Sequence, residues 1–156
     1  DYRAAERTFQ VLTQVAGRAG RGLLGGRALL QTYMPEHHAI RAAASHDYAA
    51  FYRHEMQLRE QHGYPPFGKL ARLVGRDRSL ARVKADAEQV ASQLRARIRA
   101  ERANSTDIIG PAPCFFGRVA RQHRWQVGLR GPDPAALVNI ETPAGWRVEL
   151  DPLSLL

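Results

Sequence analysis

With 156 residues and a formal net charge of +8, the chain can form one good domain, or a small domain plus a piece of another, and its basic surplus favours a polyanionic partner. No stretch resembles a signal peptide and no apolar run approaches the ~20 residues of a membrane span, so no membrane partner is expected. The lone Cys114 excludes a disulfide framework within the chain and a cysteine-built zinc site, and fits a reducing, cytoplasmic home.

Residues 3–16 read as a helix, with Ala4, Phe9, Leu12 and Ala16 near one face. Its end carries Gln14-Val15-Ala16-Gly17-Arg18-Ala19-Gly20-Arg21, a glutamine followed by two arginines interleaved with glycines. Gly17 and Gly20 are expected to let the backbone turn at the helix end. Arg18 and Arg21 offer planar, always-charged donors that match phosphate oxygens. An arginine held at a γ-phosphate is worth about 10³–10⁵ in rate. Read as Q-x-x-G-R-x-G-R, the stretch resembles the last conserved motif, motif VI, of superfamily 2 helicases; the alternative is a Gly-Arg loop on a basic surface. Leu23 to Gly26 reads as a turn and Arg27 to Tyr33 as a strand, which Pro35 ends. A single helix from Ala39 to His62 is expected next, its stripe of Ile40, Ala44, Tyr48, Phe51 and Leu58 interrupted by Glu55, and Gly63 with Pro65-Pro66 stops it.

From Lys69 the pattern is that of a compact α+β domain. Residues 69–74 alternate as a strand, and Val83, Ala87, Val90, Leu94 and Ile98 form a helical stripe. Asp107 to Ile109 is a short strand, and His123 to Arg130 alternates strictly, with Trp125, Val127 and Leu129 on one face. Pro134 to Ile140 reads as a short helix and Trp146 to Leu150 as a last strand. The order is βαββαβ, a ferredoxin-like arrangement with two helices on one face of four antiparallel strands. The expected divisions are 1–34, 35–66 as a helical connector, and 67–156.

Charge follows these divisions. The first 34 residues carry five Arg against two acids, a net of +3; residues 35–68 are −1; residues 69–156 hold fifteen Lys/Arg against nine acids, a net of +6. Arg118, Arg121 and Arg124, with His123, crowd the entry to the third strand of the last domain, and Arg130 shares a sheet face with Arg72 and Arg147. Together they are candidates for a DNA-backbone platform. The other reading of these arginines is a solvated loop. Phe115 and Phe116 are expected to cap the core, with base stacking as the alternative. His37, His38, His46, His54 and His62 show no metal-ligand spacing and read as surface or capping residues; no metal ligand is assigned. Arg3, Glu6 and Arg7 suggest i,i+3 and i,i+4 ion pairing on a solvated helix face, the alternative being part of a nucleotide or DNA coupling surface.

Several blocks in order carry a more specific resemblance: Asp1–Gln10 running into the motif, Leu30–His37, Tyr64-Pro65-Pro66-Phe67, Gly110–Pro113, Arg124-Trp125-Gln126 and Arg147–Pro152. Over its whole length the chain resembles the C-terminal part of the primosomal protein N′ (PriA) family, bacterial replication-restart helicases of superfamily 2. Beginning inside a matching block, it is expected to be a fragment. The resemblance implies the terminal helix, loop and strand of a RecA-like second motor lobe, a helical connector, and a terminal domain likened to a ribosomal small-subunit protein. It implies Arg21 as the γ-phosphate finger, Arg18 for phosphate contact or coupling to DNA, and Gln14 for orienting the nucleotide, with Gly17 and Gly20 shaping the loop. Because the chain holds neither a phosphate loop nor an acidic Mg²⁺ motif, it is not expected to hydrolyse ATP alone. For the full-length parent the resemblance implies ATP and Mg²⁺, a zinc module upstream of these residues, and 3′→5′ unwinding. The implied partners are forked or single-stranded DNA, single-stranded DNA-binding protein and other primosome proteins. The stretch aligned with the pocket for that protein's acidic tail reads Pro132-Asp133-Pro134-Ala135-Ala136 and lacks a basic side chain, so no residue takes that role. The competing class is a non-enzymatic nucleic-acid-binding or scaffolding module.

Overall fold

The computed structural model describes residues 1–19 and 26–154. It comprises two compact units, a helical one of Tyr2–Gln61 and a sheet-based one of His62 onward with Asp1.

In the helical unit, α1 (Ala4–Ala19) runs three residues beyond the expected end, so Gly17 and Arg18 lie within its last turn. The single helix expected from Ala39 to His62 is instead two, α2 (His38–Ala44) and α3 (Tyr48–Gln61). The break falls at Ser45-His46-Asp47, where His46 takes φ +53° and the Asp47 carboxylate accepts from the Ala50 amide at 2.8 Å. A side-chain acceptor of this kind starts a new helix more readily than it continues an old one. The core is small. Phe9 stacks on Phe51 with centroids 4.3 Å apart, over Ala39, Ala42 and Ala43. The expected strand at 27–33 does not form, and Leu29 is 99% exposed. A strand needs a ladder partner, and the described residues of this unit supply only helices.

The sheet unit is an α+β domain. Its strands are β1 (Lys69–Asp77), β2 (Asp107–Val119), β3 (Gln122–Gly131) and β4 (Arg147–Leu150), arranged β2-β3-β1-β4 with every neighbouring pair antiparallel. α4 (Leu80–Ala100) connects β1 to β2 and begins at Ser79, whose hydroxyl accepts from the Arg82 amide at 3.3 Å. The helix presses Ala87, Val90, Ala91 and Leu94 onto Ala71, Leu73, Val127 and Leu129, and Val83 is fully buried as well. Burying each such aliphatic side chain contributes roughly 1.5–3 kcal/mol. The second expected helix shrinks to one 3-10 turn, Pro134–Leu137, with no side-chain cap at Asp133. Leu137 still reaches the core. Helix cover therefore thins toward β4, where Val148 and Leu150, on the α4 side, are 43% and 55% exposed. β2 is far longer than the expected three residues. As an edge strand it tolerates Pro111 and Pro113, with register shifts on either side of Ala112-Pro113. Gly75 is needed for a close approach, since a Cβ there would fall on the Trp146 indole.

Candidate nucleic-acid interface

The motif residues that can be described lie on α1. Gln14 and Arg18 are one turn apart, both exposed, and Arg18 sits in the last turn, where a cation complements the helix dipole. Gly17 is helical, and a Cβ added there would meet nothing, so it does not make the expected turn. Gly20 and Arg21 lie outside the described residues. Gln14 borders a groove of about 510 Å³ between α1 and α3, shared with Phe9, Thr13, Tyr48, Tyr52 and Met56. The buried Thr13 hydroxyl has no hydrogen-bond partner among the described residues.

Glu6, Glu55 and Arg59 line the same groove and belong to a chain of ion pairs that is more than the expected solvated helix pairing. Arg3 meets Glu6 at 2.7 Å, Glu6 meets Arg59 at 3.0 Å, and Arg59 meets Glu55 at 2.9 Å. Glu55 is only 6% exposed and its other oxygen accepts from His38 Nε2 at 3.2 Å. The arginines, led by Arg3, hold the Glu6 carboxyl down at about 2. Burial pushes the His38 imidazole below its ordinary value, although the Glu55 hydrogen bond opposes this. His38 is thus a half-buried partner and not the expected surface residue. His37 does cap α2, accepting from the Ala39 amide at 3.2 Å.

In the sheet unit, β2 and β3 meet in a two-residue turn, Ala120-Arg121, since Val119 pairs with Gln122. Both turn residues have positive φ, +49° and +62°, a backbone that favours Asn-Gly over Ala-Arg. The turn presents Arg121, with exposed Arg118 just before it on β2. Phe115 and Phe116 do not cap the core as expected. They are 67% and 66% exposed and touch edge to face, 5.0 Å apart. They lie on the edge strand β2, within the register shift between Pro113 and Arg118.

The four candidate arginines have different circumstances. Arg118 and Arg121 project at the hairpin end, and Arg124 is half-buried, directly opposite Arg76 on β1. Arg130 is engaged, donating to Asp107 at 2.8 Å and lying 4.9 Å over the Tyr64 ring. Arg72 is likewise committed, 9% exposed and paired with Glu149 at 2.7 Å. Sequence alternation marked Arg124 and Arg147 but missed Arg76. Its nearness to them depends on strand order and register. Cys114 is buried near these groups, and burial pushes its thiol up.

Among the described residues no group of three or more His, Cys, Asp or Glu could hold a metal ion. The single cysteine in the sequence excludes a cysteine-built zinc site. None of the described helices is long and apolar enough to cross a membrane.

Fold and surface together define an α+β domain with an arginine-bearing hairpin, joined in sequence to a helical unit. The chain belongs to the Primosomal protein N C-terminal domain family, whose profile matches residues 60–153. It is 36% identical to the replication restart protein PriA of Synechocystis sp. over 99% of this chain and 19% of that protein. The PriA of Bacillus subtilis is 40% identical over 83% of the chain and 16% of its own length, and that of Treponema pallidum 37% over 100% and 25%. The chain thus spans a quarter or less of these relatives.

Proposed function

We propose that this chain is the C-terminal part of an ATP-dependent 3′→5′ DNA helicase that restarts replication at stalled forks. Family membership carries this reading. In it, residues 1–34 complete the second RecA-like motor lobe. Arg21 supplies the γ-phosphate finger, Arg18 contacts phosphate or couples it to DNA, and Gln14 orients the nucleotide beside Gly17 and Gly20, while ATP and Mg²⁺ are held by the rest of the parent. Support comes from Gln14 and Arg18 sharing one face of α1, next to an apolar groove with an unsatisfied Thr13 hydroxyl. An exposed apolar stretch at Leu29, Leu30 and Tyr33 suits a strand awaiting a sheet.

The sheet unit serves as the DNA-binding part, through Arg118, Arg121 and Arg124, with single-stranded DNA-binding protein and other primosome proteins as further partners. Arg130 contributes less, since Asp107 and Tyr64 already hold it. The exposed Phe115 and Phe116 add stacking surface. The test is binding of this chain to forked DNA as salt is varied. Log affinity should fall linearly with log salt, and Arg118→Ala should reduce the slope by about 0.7–0.9. Absence of binding at low salt would overturn the DNA-binding role.

A further inference from the structure

The sheet face away from α4 carries a second feature that backbone binding does not require. Arg76 and Arg124 are direct cross-strand partners, and Arg147 pairs with Val74, two residues earlier on the same face. Directly opposed side chains stand roughly 5 Å apart at Cβ and diagonal ones about 7–8 Å. All three arginines line one recess of about 230 Å³, walled by Val119 and Ala120 of the hairpin turn and by Gly145. Like charges opposite one another destabilise a sheet. Among the described residues none of these three guanidinium groups has an ion-pair or hydrogen-bond partner. One carboxylate, Glu149, also lines the recess, and buried Arg72 already neutralises it through bonds of 2.7 and 2.9 Å.

We propose that Arg76, Arg124 and Arg147 form a binding site for a phosphate monoester dianion. Three planar forks around one recess supply more positive charge than a single phosphodiester would offset. A monoester carries about −1.5 to −2 at pH 7 and presents three oxygens. The recess is smaller than the roughly 300–1,000 Å³ typical of whole-ligand pockets. It suits a terminal phosphoryl group with part of its sugar, the remainder lying outside. Two sources present this chemistry: a free nucleoside 5′-monophosphate and the 5′-phosphorylated end of a DNA strand. The site shares Arg124 with the proposed backbone interface and does not use Arg118 or Arg121.

The test uses this chain and one 3′-labelled oligonucleotide, prepared with a 5′-phosphate or a 5′-hydroxyl, read by fluorescence anisotropy at low salt. The 5′-phosphorylated strand should bind about tenfold more tightly. Arg147→Gln and Arg76→Gln should each abolish that difference while both proteins melt like the parent. Arg147→Lys, which keeps the charge and loses the fork, should retain part of it. Arg118→Ala should weaken both strands alike. Competition by deoxynucleoside 5′-monophosphate at micromolar concentration identifies the free nucleotide as ligand, and preference for the strand end without such competition identifies the DNA terminus. Either result supports the site. Equal binding of the two strands, with no competition by nucleotide or inorganic phosphate, overturns it. So does an acidic peptide that occupies the recess more tightly than any phosphate monoester. Because the readout is a difference between two strands, loss of all DNA binding is distinguishable as failure of the backbone interface: nucleotide binding, followed by the shift of the arginine Nε–H resonances, would persist.

Discussion

Glu55→Gln tests the ion-pair chain that organises the helical unit. The native carboxylate is buried and receives two side chains, Arg59 at 2.9 Å and His38 at 3.2 Å. Removing one partner of a buried pair costs about 3–5 kcal/mol when the remaining charge is left alone. Arg59 is not left alone, because Glu6 still holds it at 3.0 Å. The loss on that side is therefore one charge-assisted hydrogen bond, roughly 1.5–3 kcal/mol. His38, whose imidazole burial keeps below its ordinary value, is chiefly neutral above pH 7. Its share is an ordinary hydrogen bond of about 1 kcal/mol, part of which the glutamine oxygen restores. The expected destabilisation is thus about 2–3 kcal/mol, confined to the helical unit. Hydrogen–deuterium exchange by mass spectrometry measures it directly. Peptides from α1 and α3 should exchange about 30- to 150-fold faster, taking roughly 1.4 kcal/mol per factor of ten, while peptides from α4 in the sheet unit keep their rates. Exchange in α1 and α3 within threefold of the native rate would refute the reasoning, showing that the pairs are energetically idle.

The same groups set an acid sensitivity with a definite sign. His38 has a folded value below its ordinary 6.5 and Glu6 is lowered from 4.5 to about 2, so in both cases the unfolded chain binds protons first as pH falls. Stability should be full above about 6.5, decline below it as unfolded histidine protonates, and decline again from 4.5 toward 2; urea melts at stepped pH check this, and His38→Gln should flatten the first step alone. Gly75→Ala should drive a Cβ into the Trp146 indole, destabilising the sheet unit by about 1–3 kcal/mol and shifting tryptophan emission, as a thermal melt with fluorescence will show. Ala120→Asn should relieve part of the roughly 1–2 kcal/mol that a left-handed backbone costs an L-residue, raising the melting temperature of the sheet unit without loss of DNA affinity.

Periodicity was a reliable guide where one element buries one face against another. The Val83–Leu94 stripe of α4 and the alternation through Trp125, Val127 and Leu129 on β3 both reach the core as expected. The expectations that failed depended on partners or on side-chain acceptors that periodicity ignores. Residues 27–33 have strand-like composition and no ladder to join. The stripe from Ile40 to Leu58 runs smoothly across Ser45-His46-Asp47, although Asp47 begins a new helix there. The apolarity of Phe115 and Phe116 suits a core position, but their edge position on β2 exposes them. Glu55 interrupted a hydrophobic stripe, and that interruption was itself the signal of a buried network. Within the candidate interface, Arg118, Arg121 and Arg124 were visible as a cluster in sequence. The recess formed with Arg76 and Arg147 was not, because Arg76 lies 48 and 71 positions before its two neighbours in the chain and only the strand register brings them together.

The proposed motor role is tested most directly at Arg21, by DNA-stimulated ATP hydrolysis by the full-length parent carrying Arg21→Ala. If this arginine is the γ-phosphate finger, turnover should fall by about 10³ or more with DNA affinity little changed. Turnover near the native rate would contradict the assignment and leave the octapeptide Gln14 to Arg21 a motif by resemblance alone.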